Sequence, residues 1–67
     1  MTRLTQEDIV QVLITKRKAL KLSQKDVANF LGSTNQSIMN YEKGHSDIPL
    51  KKFVKWCELV NLNFYLD

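Results

Sequence analysis

Apolar residues recur at spacings of three and four over most of the chain, which is the pattern of helices that bury one face. The first run of this kind consists of Ile9, Val10, Leu13 and Ile14. It predicts an amphipathic helix over about residues 6–20, with Arg17 on the otherwise apolar face. Thr5, followed by Asp8 three residues later, predicts a capping box at the start of this helix.

A shorter helix is predicted next, over about residues 24–31. Ser23 can cap it, and Asp26 can reach back to the start in the same way, which makes a second capping box. Gly32 supplies the left-handed residue that ends the helix. The small side chain of Ala28 on the inward face lets a neighbouring helix approach closely, as two helices that cross over a short turn require.

The following helix, predicted over about residues 35–43 between Thr34 and Gly44, has one apolar and one polar side. The polar side carries Gln36, Asn40 and Lys43, and Asn35 and Met39 flank it. Asparagine and glutamine present a donor and an acceptor together, which matches N6 and N7 of adenine in a bidentate pair. The hydroxyls of Thr34 and Ser37, with the free N–H groups of the helix start, can hold phosphate.

A fourth helix with a wide apolar face is predicted over about residues 49–60, because Pro49 suits a first helical turn. The period then changes to two, and the apolar residues that alternate are Leu62, Phe64 and Leu66. This alternation predicts a strand over about residues 62–66. A lone strand cannot stabilise itself, so we expect it to pair with its copy in a second subunit. The competing interpretation is a fifth helix or a loop packed on its own core.

Composition narrows the class of protein. Sixty-seven residues make one domain over 1–67, and a net charge of +3 gives weak support to an anionic partner. With a single cysteine, Cys57, and no His/Cys cluster, neither a disulfide nor a metal site is expected. No apolar run is long enough for a membrane, so we expect a cytoplasmic protein. An enzyme is not expected, since His45 lies in a polar loop without an evident base partner.

The chain from residue 22 onward carries three motifs in order: L-S-Q-x-x-V-A-x-x-L-G, T-N-Q-S-I-x-N-Y-E-K-G and P-L-x-x-F-V-x-W-C. Together they resemble the Cro and phage-repressor type of helix-turn-helix, the xenobiotic-response-element-like family of bacterial regulators. The resemblance implies a compact all-α, repressor-like domain of four or five helices. It also implies that the second helix of the pair enters the major groove of double-stranded DNA, with no cofactor.

Carried across position by position, the resemblance implies base reading by Asn35, Gln36 and Asn40. Gln24, at the start of the preceding helix, falls where family members grip phosphate, and Lys43 falls where the recognition helix meets the DNA backbone. In isolation, Asn35 and Gln36 would more readily be interpreted as solvated surface. The match of the surrounding residues to the family pattern favours their interpretation as DNA-contacting residues.

The resemblance also pairs Arg17 with Glu42 in a partly buried ion pair that fixes the recognition helix against the core. Two positions depart from the family pattern. Lys21 stands where many members have glycine, so the first turn must accept a side chain, for which a positive φ is one solution. Ser33 replaces a frequent apolar residue and makes that corner more polar.

We therefore expect a sequence-specific DNA-binding transcriptional regulator, a homodimeric repressor that reads an inverted repeat. The alternating tail, with Leu62, Phe64 and Leu66 as its dimer contacts, also looks like that of the HipB-type antitoxin branch. Members of that branch repress their own operon and bind a partner toxin. An antitoxin is thus the alternative function, and a toxin protein the alternative partner.

Overall fold

The computed structural model describes residues 5–62, and four helices make up most of this part of the chain. In chain order the helices are α1 (Gln6–Ala19), α2 (Gln24–Leu31), α3 (Asn35–Lys43) and α4 (Leu50–Leu59). No strand occurs within residues 5–62, and the predicted all-α fold is confirmed for them. Phe64, Leu66 and most of the strand predicted over residues 62–66 lie outside the described residues.

Each of the first three helices begins with a side-chain cap. In α1, Thr5 Oγ1 accepts the N–H of Asp8 (3.2 Å) while Asp8 Oδ2 accepts the N–H of Thr5 (2.9 Å). Ser23 and Asp26 repeat this arrangement at α2. The backbone bonds from Thr5 and Ser23 hold the pKa of both aspartates below its ordinary value, because they stabilise the carboxylate. At α3, Thr34 caps the helix without an acidic partner.

The fourth helix begins at Leu50, one residue later than predicted, and no side chain caps it. Pro49 precedes the helix with a ψ of 144°, so the proline lies before the first turn rather than within it. A proline ring fixes φ but leaves ψ free, and the same residue type therefore suits either position. The start of α4 therefore lies one residue later than predicted, and the same face of the helix is apolar.

The ends of α1, α2, α3 and α4 share one pair of backbone hydrogen bonds, the Schellman motif. In α1 the N–H of Leu22 donates to the Arg17 carbonyl (3.0 Å), and that of Lys21 donates to the Lys18 carbonyl (3.0 Å). The turning residues have positive φ angles and are Lys21 (59°), Gly32 (68°), Gly44 (79°) and Asn61 (56°). A side chain in this conformation costs about 1 kcal/mol. Lys21, at a position where many family members have glycine, therefore has a strained backbone.

Leu62, predicted to begin a strand, instead completes the end of α4. Its N–H donates to the Cys57 carbonyl (2.8 Å), and its partly buried side chain packs against the core. The positive φ of Asn61 produces this turn. Leu62 therefore contributes to the packing of its own chain.

The core lies between α2, α3 and α4, and α1 packs against α3. The clustered buried residues are Leu13, Val27, Ala28, Leu31, Ile38, Tyr41, Trp56, Cys57 and Val60. Ala28 is only 2% exposed, in agreement with close helix contact. Within the described chain, Ser33 Oγ and Trp56 Nε1 are buried without a hydrogen-bond partner. Since α2 contacts both α3 and α4, it determines how α3 is presented at the surface.

Candidate nucleic-acid interface

The inward side of α3 is fixed by an ion pair between Arg17 of α1 and Glu42. Arg17 Nε lies 2.7 Å from Glu42 Oε2, and Arg17 Nη2 lies 3.1 Å from Glu42 Oε1. The two side chains are 10% and 8% exposed. Arg17 Nη1 also donates to the Leu22 carbonyl (2.9 Å). The arginine therefore ties α1 to α3 and to the connection that precedes α2.

Gln24, which the resemblance assigns to phosphate, also contacts Glu42. Its Nε2 donates to Glu42 Oε1 (3.0 Å), and the residue lies half-buried at the first position of α2. One hydrogen of this nitrogen and the amide oxygen remain for other contacts. The carboxylate of Glu42 thus joins three helices. Sequence reasoning missed this contact, because an amide donates equally well to a phosphate and to a carboxylate.

The outward side of α3 carries Gln36 and Asn40, and Asn35 lies at the first position of the helix. Gln36 Nε2 donates to Asn40 Oδ1 (3.2 Å), and Asn35 Nδ2 lies 3.8 Å from Met39 Sδ. Asn35 and Gln36 are exposed, and Asn40 is half-buried. The bond between Gln36 and Asn40 leaves Gln36 Oε1 as an acceptor and Asn40 Nδ2 as a donor. This pair can therefore offer both kinds of hydrogen bond to the edge of a base.

The start of α3 has no acidic side chain in its first turn, whereas α1 and α2 each have one or more there. Thr34 Oγ1 accepts the N–H of Ser37 (3.1 Å) and donates to Ser37 Oγ (2.9 Å). The N–H groups of Asn35 and Gln36, at the first two helical positions, have no partner within an α-helix. No carboxylate in this turn offsets the positive end of the α3 dipole, which favours an anion such as a phosphate.

Lys43 lies exposed in the last turn of α3. At a rise of 1.5 Å per residue, it stands about 12 Å from Asn35 along the helix axis. The structure therefore divides the predicted DNA-binding residues into two groups on α3. The group in or next to the first two turns consists of Thr34, Asn35, Gln36, Ser37 and Asn40. Lys43 stands apart from them at the opposite end.

Residues 5–62 contain no group of His, Cys, Asp and Glu side chains that could hold a metal ion. None of the helices in this part of the chain is long and apolar enough to cross a membrane. Cys57 is a buried free thiol, and burial raises its pKa above the ordinary value. A buried thiol that stays protonated acts as a core side chain rather than as a nucleophile.

Comparison with protein families finds a match over residues 13–65 to a family model described as helix-turn-helix. The matched segment runs from the second half of α1 to beyond α4, and it includes the whole of α3. No curated protein matches the chain.

Proposed function

The chain belongs to the Cro/C1-type helix-turn-helix family of DNA-binding transcriptional regulators, and from this premise we propose a more specific function. The protein is a homodimeric repressor that recognises an inverted repeat in double-stranded DNA through the major groove. Repression follows from occlusion of the promoter at which the dimer binds. The protein acts in the cytoplasm and requires no cofactor.

The observation that carries this proposal is the group of amides at the N-terminal end of α3. Gln36 and Asn40 lie on the side of α3 away from the ion pair, Asn35 lies exposed at the first position of the helix, and amides are the side chains that match adenine edges. The free N–H groups and the Thr34 hydroxyl beside them suit phosphate. Lys43 then contacts the DNA backbone at the other end of the helix.

Dimerisation is the second part of the proposal, and the surface of α4 supports it. Leu50 and Val54, one helical turn apart, are 75% and 47% exposed. The apolar face of α4 is therefore wider than the rest of the described chain covers. In a two-fold dimer this patch meets its own copy, and the two recognition helices meet half-sites about 34 Å apart. Phe64 and Leu66 stay predicted dimer contacts.

An antitoxin is the second candidate function, and the exposed apolar side chains of α4 also favour it, because a toxin can cover the same patch. Sedimentation of the purified chain distinguishes self-association through this patch from binding of a different protein. A dimer at micromolar concentration that Leu50→Asp converts to a monomer assigns the patch to self-association. A chain that remains monomeric at every concentration contradicts the homodimer and favours a different protein as partner.

Selection of bound sequences from a random pool of double-stranded DNA tests the main proposal. We expect a motif with two-fold symmetry, half-sites about one helical turn apart, and adenines at the positions read by the amides. A matched selection with the Gln36→Ala, Asn40→Ala double variant should lose those adenines while the fold is kept. Recovery of the same motif with both proteins would contradict the assignment of α3 as the recognition helix.

A further inference from the structure

The buried carboxylate of Glu42 determines how the Gln24 side chain is oriented. Glu42 Oε1 accepts one hydrogen from Gln24 Nε2 (3.0 Å) and one from Arg17 Nη2 (3.1 Å), and the Glu42 side chain is only 8% exposed. An ionised carboxylate accepts hydrogen bonds and donates none. The Gln24 amide must therefore turn its nitrogen, and not its oxygen, toward Glu42.

This arrangement leaves the second hydrogen of Gln24 Nε2 without a partner among the described residues. An amide nitrogen carries two hydrogens, and the side chain of Gln24 forms one hydrogen bond within residues 5–62, the bond to Glu42. Gln24 is half-buried at the first position of α2, so the core does not enclose its amide. The second hydrogen is therefore a donor whose direction is set by the bond that the first hydrogen makes.

The charges around this donor favour an anion. The bond between Gln24 and its carboxylate partner brings the start of α2 to the last turn of α3, which carries the exposed Lys43. Lys21 and Lys25, on either side of Gln24 in the sequence, are also exposed. The carboxylate of Asp26 already accepts the backbone N–H that precedes α2. Clustered lysines attract anions, and double-stranded DNA presents its phosphates as such.

We propose that Gln24 Nε2 bridges two anions, a DNA phosphate and the buried carboxylate of Glu42. Glu42 is then a positioning residue, which acts on DNA through Gln24 without touching it. This bridge rests on the proposed function, because it requires α3 to bind DNA. The resemblance assigns phosphate to Gln24, and the contact with Glu42 adds the residue that orients it. Because the amide is neutral, the bridge strengthens binding to every DNA sequence without changing the salt dependence.

Amide NMR of the full chain, with the side-chain amides assigned, tests the bridge. The two hydrogens of Gln24 Nε2 give separate signals, and the hydrogen bonded to Glu42 is identified by the signal that shifts in the Glu42→Gln variant. Titration with a duplex of the selected motif, and with a duplex of scrambled sequence, should move the signal of the other hydrogen and leave the bonded one in place. The side-chain amide of Asn29, exposed on the same helix, is the control and should not move.

Three other outcomes of this titration would overturn the bridge. If the Gln24 signals stay in place while those of Gln36 and Asn40 move, DNA binding through α3 stands and Gln24 does not contact phosphate. If the bonded hydrogen moves to its position in the Glu42→Gln variant, Gln24 leaves Glu42 on binding, and the positioning role is wrong. If no signal responds to either duplex, the proposed function fails and the bridge fails with it.

Substitutions separate the bridge from a purely structural role. Gln24→Ala should weaken binding to both duplexes by about tenfold per half-site, since a hydrogen bond to a charged group is lost, and should leave the salt slope unchanged. Gln24→Lys keeps donors for both anions, so it should restore the affinity and steepen the slope by about one unit per half-site. Glu42→Gln frees the amide to turn and should weaken both duplexes alike, by less than Gln24→Ala.

Asn29→Ala, which removes an exposed amide from the same helix, is the control and should leave the affinity unchanged. Circular dichroism checks that every variant is folded under the conditions of the binding measurement. An unchanged salt slope in Gln24→Lys would contradict the phosphate contact, and an unchanged affinity in a folded Glu42→Gln variant would contradict the positioning role.

Discussion

The two sides of α3 satisfy their polar groups in different ways. On the inward side, the carboxylate of Glu42 receives donors from two other helices, through Arg17 and Gln24. On the outward side, the side chain of Gln36 donates a hydrogen bond to Asn40, one turn along the same helix. The inward side therefore depends on residues far away in the sequence, whereas the outward side can change without disturbing the rest of the chain.

This difference separates stability from recognition within one nine-residue helix. A polar group that is buried against other helices costs free energy when its partner is lost, because its charge then has no compensation. A polar group at the surface exchanges its partner for water or for a ligand at little cost. Substitutions on the inward side should change the free energy of unfolding, and substitutions on the outward side should change affinity for DNA.

The largest expected effect is that of Arg17→Ala, which leaves the carboxylate of Glu42 buried and uncompensated. We expect the free energy of unfolding to fall by about 3–5 kcal/mol, measured by denaturant unfolding followed by circular dichroism. Lys18→Ala, at an exposed position of the same helix, is the control and should change it by less than about 0.5 kcal/mol. Equal effects of the two substitutions would show that the ion pair does not hold α3.

Gln36→Ala should have the next largest effect, on DNA rather than on stability. We expect a loss of about 1–3 kcal/mol on the selected site, because the variant lacks the amide that we propose to contact a base. Affinity for unrelated DNA and the free energy of unfolding should both stay the same. Gln11→Ala removes an exposed amide from α1 and serves as the control. If the Gln36 variant still preferred the selected site over unrelated DNA to the same extent, the outward side of α3 would not be the recognition surface.

Lys43→Ala should weaken binding to every DNA sequence alike. Each lysine that contacts a phosphate releases about one counterion, so the slope of log affinity against log salt should flatten by about one unit. Lys43→Arg keeps the charge and should keep the slope. A loss confined to the selected site would mean that this lysine reads bases, which would extend the reading surface over the whole length of α3.

Lys21→Gly should have the smallest effect, and it acts on the scaffold of the inward side. Lys21 has a φ of 59° and directly precedes Leu22, whose carbonyl accepts a hydrogen bond from Arg17. Glycine adopts this conformation without strain, so we expect a gain of about 0.5–1 kcal/mol in the free energy of unfolding. Gly32→Ala, at a φ of 68°, should show a loss of similar size. Affinity for DNA should not change in the lysine variant.

Local sequence signals predict the positions of the helices well, since each depends on a few neighbouring residues. The capping pair of Ser23 with Asp26 and the glycine at position 32 lie where the structure has the start and end of α2. The two errors also have local causes. Proline suits both sides of a helix start, and Asn61 reverses the chain so that Leu62 turns back to its own core. Asparagine after an apolar run is itself a helix-stop signal.

The hydrogen-bond partners of side chains are harder to predict from the sequence, because residue type does not specify which acceptor a donor will find. The resemblance suggested a pair between Arg17 and Glu42, but nothing in the sequence indicated that Gln24 shares the same carboxylate. A cleft between the first half of α1 and the end of α3 combines residues from positions 6 to 47, a separation that no local pattern spans. Such groupings become visible only when the helices are packed.

The central position of α2 has a consequence for the order in which the domain opens. α2 contacts both α3 and α4, whereas α1 contacts α3 less extensively. We therefore expect amide hydrogens of α2 to exchange only through global unfolding, and those of α1 to exchange through a partial opening of lower free energy. Detachment of α1 would withdraw Arg17 from Glu42. The position of α3 is thus held by α1, the helix that we expect to detach first.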